Sequence, residues 1–405
     1  MNANDRRIVG FTMLGHALFH VYELSIPVFV VAWLDAFATT PATLGLAVGL
    51  GYGLVGLGAL PAGVLADSRE SRGLVVISLV GMAVGFGLLA LAPSVVGVAL
   101  ALAVWGAAAS LYHPAGLALL SRGTTERGTG FAYHGAAGNV GTVLGPFAAA
   151  VLLIFFDWRL VVLAFVGPTL AGALAMTRVS FDETAAVETG TGRPVTDGGP
   201  ASLGELVGDS RRLFTGGFAL VFGVVLLYGL YYRGMLTFLP DLLAGTSGLG
   251  SMAVGTVTFE PSRFVYAGLL MLGVGGQYAG GRLTDRIETA RLLAATLASL
   301  TVVALLFVPA LNAGVRPLVV VCGALGFLVY ATAPIYQATI ADYATAEVRG
   351  LSYGYTYLGM FGIGALGATL AGGLLTYAGA TALFITLAVL AGAACLLCLR
   401  VVTAY

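Results

Sequence analysis

Gly63-Val64-Leu65-Ala66-Asp67-Ser68-Arg69 closes one long apolar run, and Gly281-Arg282-Leu283-Thr284-Asp285-Arg286 closes another; Asp67 and Asp285 lie 218 positions apart. A short polar signature that recurs at half the chain length predicts two homologous bundles of helices. Other pairs keep nearly the same offset. Tyr112-His113 matches Tyr336-Gln337 at 224, Glu126-Arg127-Gly128 matches Val348-Arg349-Gly350 at 222, and Gly145 falls on Gly367. Offsets this steady point to an internal duplication.

The composition says what surrounds those bundles. Hydrophobic residues make up 59% of the 405 and charged residues 9%, with a mean hydropathy of +0.96. A water-soluble domain with that much apolar surface would expose large patches, so the solvent is expected to be lipid. A net charge of zero argues against a nucleic-acid partner. All 19 basic residues are arginine, a bias without a physical account. Cys322, Cys395 and Cys398 sit in apolar stretches, and the C-x-x-C they include reads as helix filler rather than a disulfide framework.

About 20 apolar residues cross roughly 30 Å of hydrocarbon. Cutting at polar and Gly/Pro punctuation predicts twelve spans near 8–34, 42–66, 73–92, 95–120, 128–154, 159–178, 213–240, 262–284, 290–309, 318–341, 349–377 and 380–400. The run after Arg6 and Arg7 is too long for the core of a signal peptide and reads as the first span. With the N-terminus inside, 15 of the 19 arginines become cytoplasmic, so both termini are expected there. Residues 179–212, with Asp182, Glu183, Glu188, Arg193, Pro194 and Asp197 among Gly, Thr and Ser, read as a cytoplasmic linker between an N-terminal bundle over 1–178 and a C-terminal one over 213–405. Ser202 and Glu205 have capping-box spacing, which predicts a short helix before span seven.

The whole chain resembles the major facilitator superfamily. Gly63, Asp67, Arg69 and Arg72 follow its G-x-x-x-D-[RK]-x-G-[RK] loop pattern, with Ser68 where a basic residue is usual, and Gly281, Asp285 and Arg286 keep part of a second copy. Gly141-Thr142-Val143-Leu144-Gly145-Pro146 resembles the glycine-proline motif of span five that is associated with exporters. Within the superfamily, three stretches are similar to the fosmidomycin-resistance-like branch: Gly15-His16-Ala17-Leu18-Phe19-His20-Val21-Tyr22-Glu23, Tyr112-His113-Pro114-Ala115-Gly116 and Tyr232-Arg233-Gly234. The resemblance implies an all-α membrane fold of two pseudo-symmetric six-helix bundles, with spans one, four, seven and ten around a central cavity.

A carboxylate at a helix end can accept from the open N–H groups that start another helix. Asp67 is therefore expected to meet the start of span eleven at Arg349-Gly350, and Asp285 the start of span five at Arg127-Gly128, with Gly63 and Gly281 allowing close backbones. Those contacts would form a gate on the cytoplasmic side.

Charges inside a bilayer cost about 2.5–3.5 kcal/mol each on insertion scales, so those deep in the spans mark function. His16, His20 and Glu23 are spaced i, i+4, i+7 and share one face of span one. They form the candidate proton-coupling set, with Glu23 foremost; the bland alternative is neutral histidines bonded to helix carbonyls. Arg233 lies about 20 residues into span seven and either snorkels outward, pairs with Glu23 or binds an anion. His113, followed by Pro114, is expected to kink span four into the cavity. Tyr228, Tyr232, Tyr330, Tyr336 and Gln337, with His134 and Asn139 on span five, complete the candidate substrate wall.

Gly51-x-Gly53-x-x-Gly56 and Gly362-x-Gly364-x-x-Gly367 match a dinucleotide fingerprint by letter only and read as helix-packing glycines. The sequence carries no Walker loop, no H-E-x-x-H and no G-x-S-x-G, so neither ATP-driven transport nor catalysis is expected, and no cofactor or metal. The expected function is secondary transport of a small organic molecule across the cell membrane by a monomer, coupled to protons and directed outward. Uptake or facilitated passage of a small metabolite, an anion included, is the alternative, and a non-transporting sensor the third.

Overall fold

Among the described residues, eleven helices are long and apolar enough to cross a bilayer. A twelfth, Pro261–Thr284, falls below them in hydropathy because it carries Arg263, Gln277 and Arg282 among glycines. Its 24 residues still reach about 36 Å at 1.5 Å per residue, enough to span. The computed structural model describes residues 1–68, 70–188, 203–214, 217–255, 257–343 and 349–404. Arg193, Pro194, Asp197 and Ser202 of the expected linker lie outside that set, as do Arg69 and the side chains of Asp67, Glu205 and Arg349.

Spans one to six are Ala3–Ala36, Pro41–Ser68, Ser71–Leu91, Val95–Gly123, Arg127–Leu152 and Trp158–Thr177. Spans seven to ten are Phe218–Thr237, Pro261–Thr284, Thr289–Ala313 and Val315–Tyr343. Span eleven runs as Arg349–Tyr357, Leu358–Ile363 and Leu366–Tyr377, and span twelve is Gly379–Ala404. A helix at Leu203–Leu213 precedes span seven, as the capping-box reading expects. Large apolar side chains such as Leu100, Val320 and Leu396 stand exposed, at 64%, 72% and 66%. They suit a surface whose solvent is hydrocarbon.

Two spans depart from simple helices. Span four breaks at Ser110-Leu111 rather than running on through 95–120. Pro114 has no N–H to offer the Ser110 carbonyl, and the ladder restarts with Ala115 N donating to Leu111 O at 3.3 Å. Span eleven widens to a π-helical turn over Leu358–Ile363, with Gly364 N donating five residues back to Gly359 O at 2.9 Å.

Glycines set which spans touch. A Cβ on Gly141 or Gly145 of span five would collide with the Ala17 or Val21 carbonyl of span one, so the two backbones lie against each other. Gly56 of span two meets the Gly362 backbone of span eleven just as closely, and that pair joins the halves. The glycines that mimic a nucleotide fingerprint are therefore packing residues. Cys395 and Cys398 serve packing as well: their thiols donate to Ala294 O and Ala290 O, tying span twelve to span nine.

Cross-half bonds among the described residues cluster in the part of the bundle away from the termini. Ala42 N donates to Thr376 Oγ1 at 2.9 Å, Thr369 Oγ1 to Gly45 O at 3.1 Å, and Phe147 packs edge-on to Phe264. Between spans seven and eight, a two-stranded hairpin pairs Met252–Val254 with Val257–Phe259.

Candidate functional site

The contact between spans one and five turns one face of span one, and with it His16, His20 and Glu23, toward span four and the second half. His20 Nδ1 lies 2.7 Å from Glu23 Oε2, and His20 Nε2 lies 3.1 Å from His16 Nε2. His16 Nδ1 then reaches the His134 carbonyl oxygen at 2.8 Å. The face expected from the i, i+4, i+7 spacing is a continuous hydrogen-bonded chain.

Arg233 crosses from span seven and pairs with the other oxygen of Glu23. Both side chains are almost completely buried, at 3% and 2% exposure. Of the three sequence-level readings of Arg233, the structure has the Glu23 pair and not the snorkel. Tyr52, which the sequence reading passed over, lies beneath the guanidinium with its ring centroid 3.8 Å from Cζ, and its hydroxyl donates to Glu23 O at 2.9 Å. Tyr232 and Phe361 flank the same guanidinium at 5.2 and 5.6 Å. A buried cation needs a paired anion, and the aromatic faces add to its hold.

The remaining candidates divide into two groups. His113 joins the histidines: its ring is 5.2 Å from His16 and 5.9 Å from His20, and it faces Tyr357 of the second half at 5.8 Å. Tyr112 stays in the scaffold, donating to Thr12 O at 2.6 Å. On the second half, the Tyr232 and Tyr330 hydroxyls meet at 3.4 Å, Tyr228 donates to Val329 O, and Tyr336 packs on Tyr228 at 5.8 Å. Gln337 is exposed and Asn139 half-buried.

His16, His113 and His134 bring one ring nitrogen each within 4.8 Å of one another. That trio comes from three different spans, so no sequence spacing announces it. It is poorly arranged to chelate. The His16 and His134 rings stack 3.9 Å apart at 7°, and both nitrogens of His16 already have partners. In-plane lone pairs on parallel rings do not converge on an ion about 2.1 Å from each.

Of the expected gate, the meeting of Asp67 with the start of span eleven at Arg349 falls outside the described residues, and the meeting of Asp285 with the start of span five is not formed. Asp285 and Arg286 are exposed, and among the described residues no hydrogen bond joins Asp285 to Arg127 or Gly128. The amides just before span five are taken by Asp5 of span one, whose carboxylate accepts from Thr125 N at 3.1 Å and Glu126 N at 3.2 Å. Arg127 keeps Nε and Nη2 buried without a partner. Glu183 accepts from Ser71 N and Arg72 N, capping span three, and Arg72 donates to Thr177 O. Gly63 has open space where a Cβ would stand, and Gly281 only an ordinary contact with Pro334, so neither allows a close approach in this conformation.

Several solved transporters share this architecture. A bacterial homologue of the human lysosomal transporter Spinster, inward-facing and unoccupied, matches with a TM-score of 0.73 at 14% identity, covering 100% of this chain and 96% of that one. The nucleoside transporter NupG matches at 0.75 and 14%, over 99% of both chains. A POT family transporter in complex with a thioalcohol-conjugated peptide matches at 0.74 and 14%, over 98% of this chain and 96% of that one. No curated protein sequence matches the chain. The sequence profile described as Major Facilitator Superfamily matches residues 12–356, and again 264–404. With the profile spread over most of the chain, and with twelve spans in two related bundles, the protein belongs to the Major Facilitator Superfamily, a family of transporters and not of enzymes.

Proposed function

We propose that this protein is a proton-coupled secondary transporter that moves a small organic molecule out of the cell by alternating access. The observation that carries the reading is the buried chain Arg233–Glu23–His20–His16, which ties the two halves together through groups that hold protons. A protonation change there alters the cost of separating the halves, and that is the physical requirement for coupling. Residues 1–178 and 213–405 are the moving halves, joined by 179–212. The bias in arginine placement supports cytoplasmic termini in the cell membrane. On that orientation, the hydrogen bonds between spans two and eleven close the outer side, and Asp67, Arg69 and Arg349 belong to the gate on the inner one. The fosmidomycin-like stretches and the span-five glycine-proline motif support outward transport.

The substrate wall is aromatic: Tyr228, Tyr232, Tyr330 and Tyr336 from the second half, with His113 from the first, which lies against Tyr357. It suits a compound with a flat apolar body and a few polar groups. An anion held by Arg233 is the weaker reading, because Glu23 already occupies that guanidinium.

The test is flux in proteoliposomes, with a panel of small organic solutes and an imposed pH gradient, comparing the native protein with Glu23→Gln. Gradient-driven accumulation of at least one solute, lost in the variant, is the expected result. Full accumulation in Glu23→Gln removes Glu23 from coupling, and passive flux alone removes the proton.

A further inference from the structure

The hydrogens of the Glu23–His20–His16 chain can be counted. His16 Nδ1 faces the His134 carbonyl oxygen at 2.8 Å, and a carbonyl oxygen only accepts, so Nδ1 carries a hydrogen. Glu23 turns Oε1 to Arg233 and Oε2 to His20 Nδ1 at 2.7 Å. With a permanently cationic guanidinium against it, the carboxylate is the acceptor in both contacts, so His20 Nδ1 carries a hydrogen too. A neutral imidazole has one N–H. Two neutral rings have then spent both hydrogens at their Nδ1 atoms, and two bare lone pairs face each other across the 3.1 Å between His20 Nε2 and His16 Nε2. That contact is attractive only with one further proton in it.

We infer that His16 and His20 form a two-histidine proton site, sharing one proton between their Nε2 atoms, while Glu23 remains an anion pinned by Arg233. This rests on the coupled-transport reading and deepens it by naming the atoms that hold the proton. When the proton leaves, one ring reverts to a neutral imidazole with no hydrogen left at Nε2, and the contact between the rings turns repulsive. While the proton is bound, Glu23 has two cationic neighbours, Arg233 from the other half and the histidine pair from its own. Loading therefore loosens the carboxylate's hold on Arg233, and release leaves Arg233 as its sole cationic partner. Proton occupancy is in this way linked to the contact between the halves.

The surroundings leave the proton few other places. Span four presents His113 and Tyr112 to the pair, span five presents His134, and span two presents Tyr52. Span seven contributes Arg233 and Tyr232, and span eleven adds Tyr357 behind His113. Glu23 is the one carboxylate bonded to the cluster among the described residues. His134 stacks on His16, with its ring buried beside the pair.

Nitrogen-15 histidine and carbon-13 glutamate solid-state NMR on the full chain in liposomes tests this at about pH 8, above the ordinary histidine range near 6.5. The expected spectrum has one charged-imidazolium signal per protein, correlated through a shared hydrogen with a second ring, and no protonated carboxyl signal from Glu23. His16→Gln and His20→Gln each lose that charged signal, and His113→Gln keeps it. Four neutral histidines in the native protein overturn the site, whether or not Glu23 proves protonated, and this holds even where a variant fails to fold. The flux test fails separately: a shared proton beside gradient-independent flux leaves the site standing and removes the coupling.

Discussion

The two halves share a scaffold and divide the chemistry. The first half holds all four histidines and the intramembrane carboxylate Glu23; hydrogen bonds link Glu23, His20 and His16 to the His134 carbonyl, and His113 adjoins them through ring contacts. The second supplies Arg233, the cation that pairs with Glu23, and tyrosines such as Tyr228, Tyr232 and Tyr330 whose hydroxyls bond to one another or to backbone. Tyr112-His113 and Tyr336-Gln337 stand at matching places in the repeat, yet His113 lies in the histidine cluster and Gln337 is exposed. Where the duplicated sequence kept glycines, the halves kept their packing: Gly145 lies on span one as Gly367 lies on span seven. Where it replaced polar residues, one half became protonatable and the other aromatic. The Glu23–Arg233 pair is where the two chemistries meet, and it is the place to break the comparison hardest.

Arg233→Met leaves Glu23 buried at 2% exposure without a counter-ion. Removing one partner of a buried pair costs about 3–5 kcal/mol. The melting temperature of the purified protein is expected to fall accordingly. Glu23→Gln combined with Arg233→Met is expected to recover most of the loss, because no isolated charge then remains. A double variant as unstable as Arg233→Met alone would mean that the halves are held by packing around Tyr52 and Phe361 and not by the charges.

The readability of this molecule from its residues was uneven, for physical reasons. Span count, duplication and the shared face of His16, His20 and Glu23 were legible, because hydropathy and helical periodicity are local properties of the chain. Pairing of Arg233 with Glu23 was one of three open readings, since its bond joins residues 210 positions apart. Tyr52 was missed: a tyrosine between two glycines reads as packing, and its role depends on which cation the other half places over it. The histidine trio was missed because spans one, four and five each contribute one ring. Asp5 and Glu183 went unnoticed as caps because a carboxylate's partner amides, unlike its charge, leave no trace in sequence spacing.

The shared scaffold can be tested apart from the divided chemistry. Gly141→Leu forces a side chain into the Ala17 carbonyl, where backbone and not a flexible neighbour must yield. Overpacking of this kind costs about 1–3 kcal/mol. It should also pull span one from span five and disturb the His16 contact with His134 O, so the charged-histidine signal is expected to weaken as stability drops. Gly275→Leu, at a position with open space beside it, is the control and should change neither. Equal effects at both positions would show that glycine loss, not the close approach, does the damage.

The smallest effect concerns acidity away from the central site. Asp241, in the short helix Leu239–Ala244 after span seven, has its carboxyl pushed up to about 6 by burial, with the Asp35 carboxylate of the first half adding repulsion. Its folded-state value exceeds the ordinary 3.8, so between about pH 4 and pH 6 the folded protein holds a proton that the unfolded chain has released. Stability is therefore expected to fall as pH rises through that window and to level off above it. A shift of this size corresponds to about 3 kcal/mol at most, and to about 1–2 kcal/mol after allowance for partial solvent screening. Asp241→Asn should flatten the dependence of melting temperature on pH over that range, and Asp35→Asn should reduce it by a smaller amount, since burial is the larger cause. An unchanged slope in Asp241→Asn would place the acid sensitivity elsewhere, with Glu260, whose carboxyl burial also pushes up, the next group to replace.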